Sequence, residues 1–184
     1  TGIISDEEIS AKINSRTKIV SVVHVSNVLG VTNSVKKLSE AAHAVGAIFI
    51  VDGAQSAPHM KVDVQEFDAD FFAMIGHKLC GPMGIGALYG KRTLLEEMEP
   101  FLRGGEMIEY VTREKATWAE VPHKFEAGTV SAGDAVGMAA AIRYIQSIGL
   151  ENIEKHDAQL VCRIIEGMKN IPHINIIGPK DGNK

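Results

Sequence analysis

Four side chains with the makings of a reactive site follow short apolar runs. Asn27 comes after the run ending at Val25, Asp52 and Gln55 after the run ending at Val51, and Lys78 after the run ending at Ile75. Lys78 sits in Gly76-His77-Lys78-Leu79-Cys80-Gly81-Pro82. Glycines on either side let the backbone turn sharply and let a bulky group approach, which makes the amine a candidate Schiff-base nucleophile. Asp52, in Val51-Asp52-Gly53-Ala54-Gln55, can hold a negative charge beside a heteroaromatic nitrogen and keep it protonated. Enzymes that use pyridoxal phosphate as an electron sink require such a group. Taken singly, each residue also has an ordinary use: aspartate at a strand end forms turns and caps, and lysine before a Gly-Pro turn is usually solvated.

The elements around these residues determine whether they meet. Ser5-Asp6-Glu7-Glu8 is a capping box opening a short helix with Ile9 and Ile13 on one face. Lys18 to Val25 is nearly continuous in apolar and β-branched residues, the pattern of a strand covered on both faces. A helix capped by Ser34 carries Val35, Leu38, Ala41, Ala42 and Val45 and ends at Gly46, and a second buried strand runs from Ala47 to Val51. Strand, helix and strand with short connections make a parallel βαβ unit with a right-handed crossover. Phe71 to Ile75 and Ile85 to Tyr89 are two further strands, the last reached through a tight turn and expected to run antiparallel. Then follow a short helix at 93–98, an irregular stretch to about Asp134, an Ala-rich helix ending before Gly149, an amphipathic helix to Asn170 and a strand at Ile174 to Ile177. In an open α/β sheet ligands bind beyond the carboxyl ends of the strands, where Asn27, Asp52 and Lys78 all fall.

Composition excludes several classes. The 184 residues carry 19 Lys and Arg against 23 Asp and Glu, a formal charge of −4 with no basic block, so nucleic acid is not an expected partner. No apolar run is long enough for a bilayer, and the first residues show no basic-then-apolar leader pattern, so a cytoplasmic protein is expected and membrane association is not. Cys80 and Cys162 form no disulfide framework and no metal-binding spacing. Neither do His43, His59, His123, His156 and His173, for which surface or capping roles are expected. Thr1 and the turn-forming stretch from Gly178 to Lys184 predict a piece of a longer polypeptide.

The strings His24-Val25-Ser26-Asn27-Val28-Leu29-Gly30, Val51-Asp52-Gly53-Ala54-Gln55-Ser56, Gly76-His77-Lys78-Leu79-Cys80-Gly81-Pro82 and Phe125-Glu126-Ala127-Gly128-Thr129 resemble, in order and spacing, the Suf-type cysteine desulfurases. These are class V aminotransferases of pyridoxal phosphate fold type I, related to selenocysteine lyases. Asp68-Ala69-Asp70-Phe71-Phe72 and Gly84 to Gly90 extend the likeness over nearly the whole chain. The resemblance implies a three-layer α/β/α architecture with a mostly parallel sheet. Residues 1–135 would be the second half of the cofactor-binding large domain, and residues 136–184 linking helices and the start of a smaller α+β domain. It implies pyridoxal 5'-phosphate held by Lys78, with Asp52 on the pyridine nitrogen, Gln55 and Asn27 at the phenolic oxygen and ring, and His77 at the phosphate. Thr129 would reach the phosphate of the other subunit in a homodimer with shared sites, and the Gly104-Gly105 loop would touch the neighbouring subunit.

By the same resemblance the reaction takes sulfur from L-cysteine, or selenium from L-selenocysteine, leaves alanine, and passes the cargo to an acceptor protein for iron-sulfur cluster assembly. Ile75 stands where the family usually has a phosphate-binding serine, so anchoring there is expected to be weaker or rearranged. Neither Cys80 nor Cys162 matches the sulfur-accepting cysteine. The resemblance places that cysteine and the carboxylate-clamping arginine after Lys184, and the histidine stacked on the cofactor before Thr1. The 184 residues alone are therefore expected to be inactive. Another class V enzyme, such as an aminotransferase, epimerase or kynureninase-like hydrolase, and a non-catalytic α/β scaffold remain the alternatives.

Overall fold

The computed structural model describes residues 2–179. Its elements are α1 (Asp6–Lys12), β1 (Ile19–Val23), α2 (Val35–Ala44), β2 (Ile48–Asp52), β3 (Phe71–Ile75), β4 (Gly86–Gly90), α3 (Arg92–Glu97), β5 (Ile108–Val111), β6 (Ala116–Trp118), α4 (Ala132–Ile148) and α5 (Leu150–Lys169). The capping box forms in full: the Glu8 amide donates to the Ser5 hydroxyl and the Ser5 amide to the Glu8 carboxylate. Ser34 does occupy the position before α2, but its side chain makes no capping bond.

Strands β1 to β4 form one sheet in chain order. β1, β2 and β3 are parallel and β4 returns antiparallel to β3. This is an α/β fold with a mostly parallel sheet. One core cluster joins Val35, Leu38 and Ala42 of α2 to Phe49 and Val51 of β2 and Phe72 of β3. A second joins Leu79, just beyond β3, to Met138 and Ile145 of α4, with Met74, Ile85 and Ile153 packed on it. The site-bearing turn is therefore part of a core, not a surface loop.

Three expectations need correction. β1 is not covered on both faces: Ile19, Ser21 and Val23 are exposed and alternate with half-buried Val20 and Val22. It is an edge strand of the sheet, and among the described residues only one of its faces is packed. The stretch expected to be irregular contains a hairpin, β5 paired antiparallel with β6 through a turn at Thr112 to Lys115. Residues 174–177 form no strand: they have no ladder partner among the described residues, and an apolar run without one gains nothing from extension. Thr1 and Lys180 to Lys184, on which part of the reading of the ends relied, lie outside the described residues.

Candidate functional site

Asp52 closes β2, and its place is fixed by the neighbouring strands. Its carbonyl accepts the His24 amide at 2.9 Å, and the next amide, Gly53, donates to the Ala73 carbonyl at 2.8 Å. Asp52 Oδ1 accepts the Ala54 amide at 2.9 Å, an Asx turn that steers the carboxylate away from the strand. Gly53 is obligatory here, because a Cβ on it would lie 1.8 Å from the Phe72 ring. The chain turns immediately, Ala57 donating to the Gly53 carbonyl, and this turn carries Gln55.

Lys78 lies in a single 3-10 turn, Gly76–Leu79, at the end of β3. The turn is closed by the Gly76 amide on the Ile85 carbonyl at 2.7 Å and the Gly81 amide on the Gly76 carbonyl at 2.9 Å. Cys80 takes the left-handed conformation at φ 59° that ends it. Lys78 is half-buried, and among the described residues its side chain makes no hydrogen bond or ion pair. Its amine is therefore available to a ligand.

Asp52, His77 and Lys78 line one cleft of about 650 Å³, a size typical of small-molecule sites. Its other walls are Ala54, Ala73, Met74, Ile75, Gly84, Ile85 and Gly86, so a carboxylate, an amine and an imidazole border the same mostly apolar cleft. Ile75 contributes such a wall and no donor. Asn27 and Gln55 line a separate cleft of about 420 Å³ with Ser26, His59 and Asp157. Thr129 is apart from both, in a third hollow with Glu106, His123 and Glu126. Five of the six expected site residues thus gather on the turns after β1, β2 and β3, and the sixth does not.

Several residues acquire partners that spacing did not reveal. His59 Nδ1 meets Asp157 of α5 at 2.7 Å at the edge of the Asn27 and Gln55 cleft. Ninety-eight positions separate them, so no local pattern could have paired them. His43 is not a simple surface histidine: its Nε2 lies 2.9 Å from Asp70 and its Nδ1 3.2 Å from Asp68. Asp70 also accepts the Phe49 amide at 2.8 Å and the Lys91 ammonium at 2.8 Å. Burial pushes its carboxyl up, but these donors outweigh burial and hold it below the ordinary aspartate value. His24 lines none of these three clefts. It is buried edge-on against Phe67 at 5.0 Å, its Nδ1 has no partner, and burial lowers its pKa. Cys162 is half-buried, and Val161, Ile164 and Met168 on the same helix are exposed, so that face is less covered than its apolar pattern predicts. Neither cysteine lines the Lys78 cleft, and the described residues contain no cluster suited to a metal ion.

Comparison with known proteins gives a consistent pattern. The model of the class V aminotransferase family matches residues 1–184. The chain is 50% identical over 179 residues to a probable cysteine desulfurase of Halalkalibacterium halodurans, covering 97% of this chain and 44% of that protein. It is 51% identical over 178 residues to a cysteine desulfurase of Haloferax volcanii, covering 97% and 42%. The apo structure of a cysteine desulfurase from Thermococcus onnurineus superposes with a TM-score of 0.93 at 43% identity, over 100% of this chain and 46% of that one. The chain spans less than half the length of each of these proteins.

Proposed function

Because the chain belongs to the class V aminotransferase family, we propose that it binds pyridoxal 5'-phosphate at Lys78 and serves the removal of sulfur from L-cysteine, or selenium from L-selenocysteine, with alanine as co-product. The observation that carries this reading is the presence of Lys78 and Asp52 in the lining of one mostly apolar cleft. That donor set fits the group: an unpartnered amine for its aldehyde, an acid for its ring nitrogen, and small or aliphatic side chains for its ring faces. The bound group supplies an electron sink for the substrate's α-carbon.

The chain's own residues do the rest. Lys78 would hold the cofactor's aldehyde through its amine, and the same amine would carry protons to and from the substrate's reacting carbons. Asp52, its Oδ1 oriented by the Ala54 amide, holds a proton on the ring nitrogen by proximity of charge. Gln55 and Asn27, on the turns after β2 and β1, hydrogen-bond the ring substituents, and His77 binds at the phosphate. The family resemblance assigns Thr129, which lines a different hollow, to a second copy of the chain in a homodimer. Residues 1–135 are the second half of the cofactor-binding domain, and residues 136–184 lead into a smaller one. A cytoplasmic setting and a sulfur-acceptor protein complete the reading. No helix among the described residues is long and apolar enough to cross a membrane.

The test is addition of pyridoxal 5'-phosphate to the full gene product. The protein turns yellow, and borohydride fixes the cofactor to a peptide containing Lys78. Fixation elsewhere, or none, overturns cofactor binding at Lys78. Alanine release from L-cysteine that exceeds a Lys78→Ala control identifies the reaction, and its absence returns the chain to another class V activity.

A further inference from the structure

The turn that carries Lys78 is braced from behind by α4, at one place without clearance. A Cβ on Gly137 would lie 2.6 Å from Cγ and 3.2 Å from Cδ of Pro82. The push would not stop there. The Pro82 carbonyl stands 2.9 Å from where a Cβ of Gly76 would be, and the Gly76 carbonyl accepts the Gly81 amide at 2.9 Å. Gly76 is the first residue of the 3-10 turn, two positions before the lysine. On the same side Leu79 packs on Met138 and Ile145 of α4, and a Cβ of Gly81 would come 3.5 Å from Ala141. One helical turn earlier, Gly133 has nothing within 4 Å of its Cβ position. Gly137 thus abuts the lysine turn, whereas Gly133, the second residue of the same helix, faces open space.

We propose that Gly137 is a positioning residue, whose bare backbone against the Pro82 ring sets the height of the 3-10 turn and thereby the reach of the Lys78 amine into its cleft. The inference rests on the reading of Lys78 as the residue that binds an aldehyde. Glycine is a poor choice for the middle of a helix, since alanine is the better helix former. The close contact with Pro82 is a physical reason for it at 137, and no such contact exists at 133.

The experiment is a double-mutant cycle in the full gene product with added pyridoxal 5'-phosphate. It follows the visible absorbance and the rate of borohydride fixation. In the step measured, Lys78 Nζ forms a C=N bond to the aldehyde carbon with loss of water, and borohydride then delivers hydride to that carbon to leave a stable secondary amine.

Gly137→Ala should slow fixation about tenfold or more, as expected for small misplacement of a reacting group, and lower kcat with KM nearly unchanged. Pro82→Ala, which removes the ring and inserts nothing, should also slow it by loosening the turn. The Gly137→Ala, Pro82→Ala pair should recover to within about twofold of the parent, because the new methyl group occupies the space the ring vacates. Gly133→Ala should match the parent. The proposal is overturned if Gly137→Ala and Pro82→Ala both match the parent, if Gly133→Ala is slowed as much as Gly137→Ala, or if the pair shows no recovery. Should Gly137→Ala fail to fold, a Pro82→Ala variant indistinguishable from the parent overturns the proposal on its own. A parent protein that is not fixed at Lys78 refutes the proposed function instead, so the two failures are separable.

Discussion

The turns after β2 and β3 and the stretch from Glu99 to Ser131 are built on opposite principles. In and beside the first region the backbone is gripped at several points. Gly53 lies against Phe72, Gly76 against Ile85, and Gly86 would bring a Cβ within 2.6 Å of the Met74 carbonyl. In the second region all four residues of β5 are exposed, and Phe101, Leu102, Tyr110, Val111 and Val130 are open to solvent. Pro100, Met107 and Lys124 are its buried points, the last donating to the Glu96 carbonyl at 3.0 Å. Lys78, proposed above to form a covalent link, lies in the first region. Thr129, proposed to serve a second copy, lies in the second.

This contrast can be broken by substitution. The largest effect falls on the lysine: Lys78→Ala and Lys78→Arg should abolish borohydride fixation altogether, while circular dichroism and the urea midpoint stay near the parent's. Next comes the acid. Asp52→Asn should still bind the cofactor but lose turnover by about 10²-fold, the usual cost of removing a preorganised electrostatic partner, measured as alanine release. Gly53→Ala forces a methyl group into the Phe72 ring and should cost about 1–3 kcal/mol in urea unfolding, in line with overpacked cores.

A smaller effect appears at the far end of β3. Asp70 has a folded-state pKa below its unfolded value, so it contributes stability at pH above the ordinary aspartate value of about 3.9. That stability is lost as pH falls through the depressed folded value. Urea midpoints between pH 7 and pH 3 should show the loss, and Asp70→Asn should flatten it. Smallest of all, Phe101→Ser and Leu102→Ser should change the stability of the isolated chain by no more than about 0.5 kcal/mol. The same pair should shift sedimentation toward monomer if a second copy covers this face. A large loss of stability in the monomer would erase the distinction between the regions.

Much of the first region is legible in the sequence because its constraints are local. A glycine beside a reactive residue, a β-branched run and a capping box each declare themselves within a few positions, and the βαβ order then places Asp52 and Lys78 at one edge of the sheet. The second region is not legible in this way. Ile108 to Trp118 forms a hairpin with a bulge and little burial, so its alternation is weak. The contacts among His43, Asp68, Asp70 and Lys91, and between His59 and Asp157, join residues far apart in the chain. Their partners follow from the tertiary arrangement, which a linear pattern does not contain. The strand expected at 174–177 fails for the complementary reason: apolar composition proposes extension, but a ladder requires a neighbour.

The register of β2 on β3, with Asp52 opposite Ala73, also limits where length can change. Slipping that pairing by a single position would turn the carboxylate toward the packed interior and bring Val51 to the mouth of the cleft. A change of length in the arm between β2 and β3 leaves that register itself intact, although Val62 and Val64 of the arm pack on the core. Within 48–52 or 71–75 even one extra residue would silence the chemistry while leaving every functional side chain present.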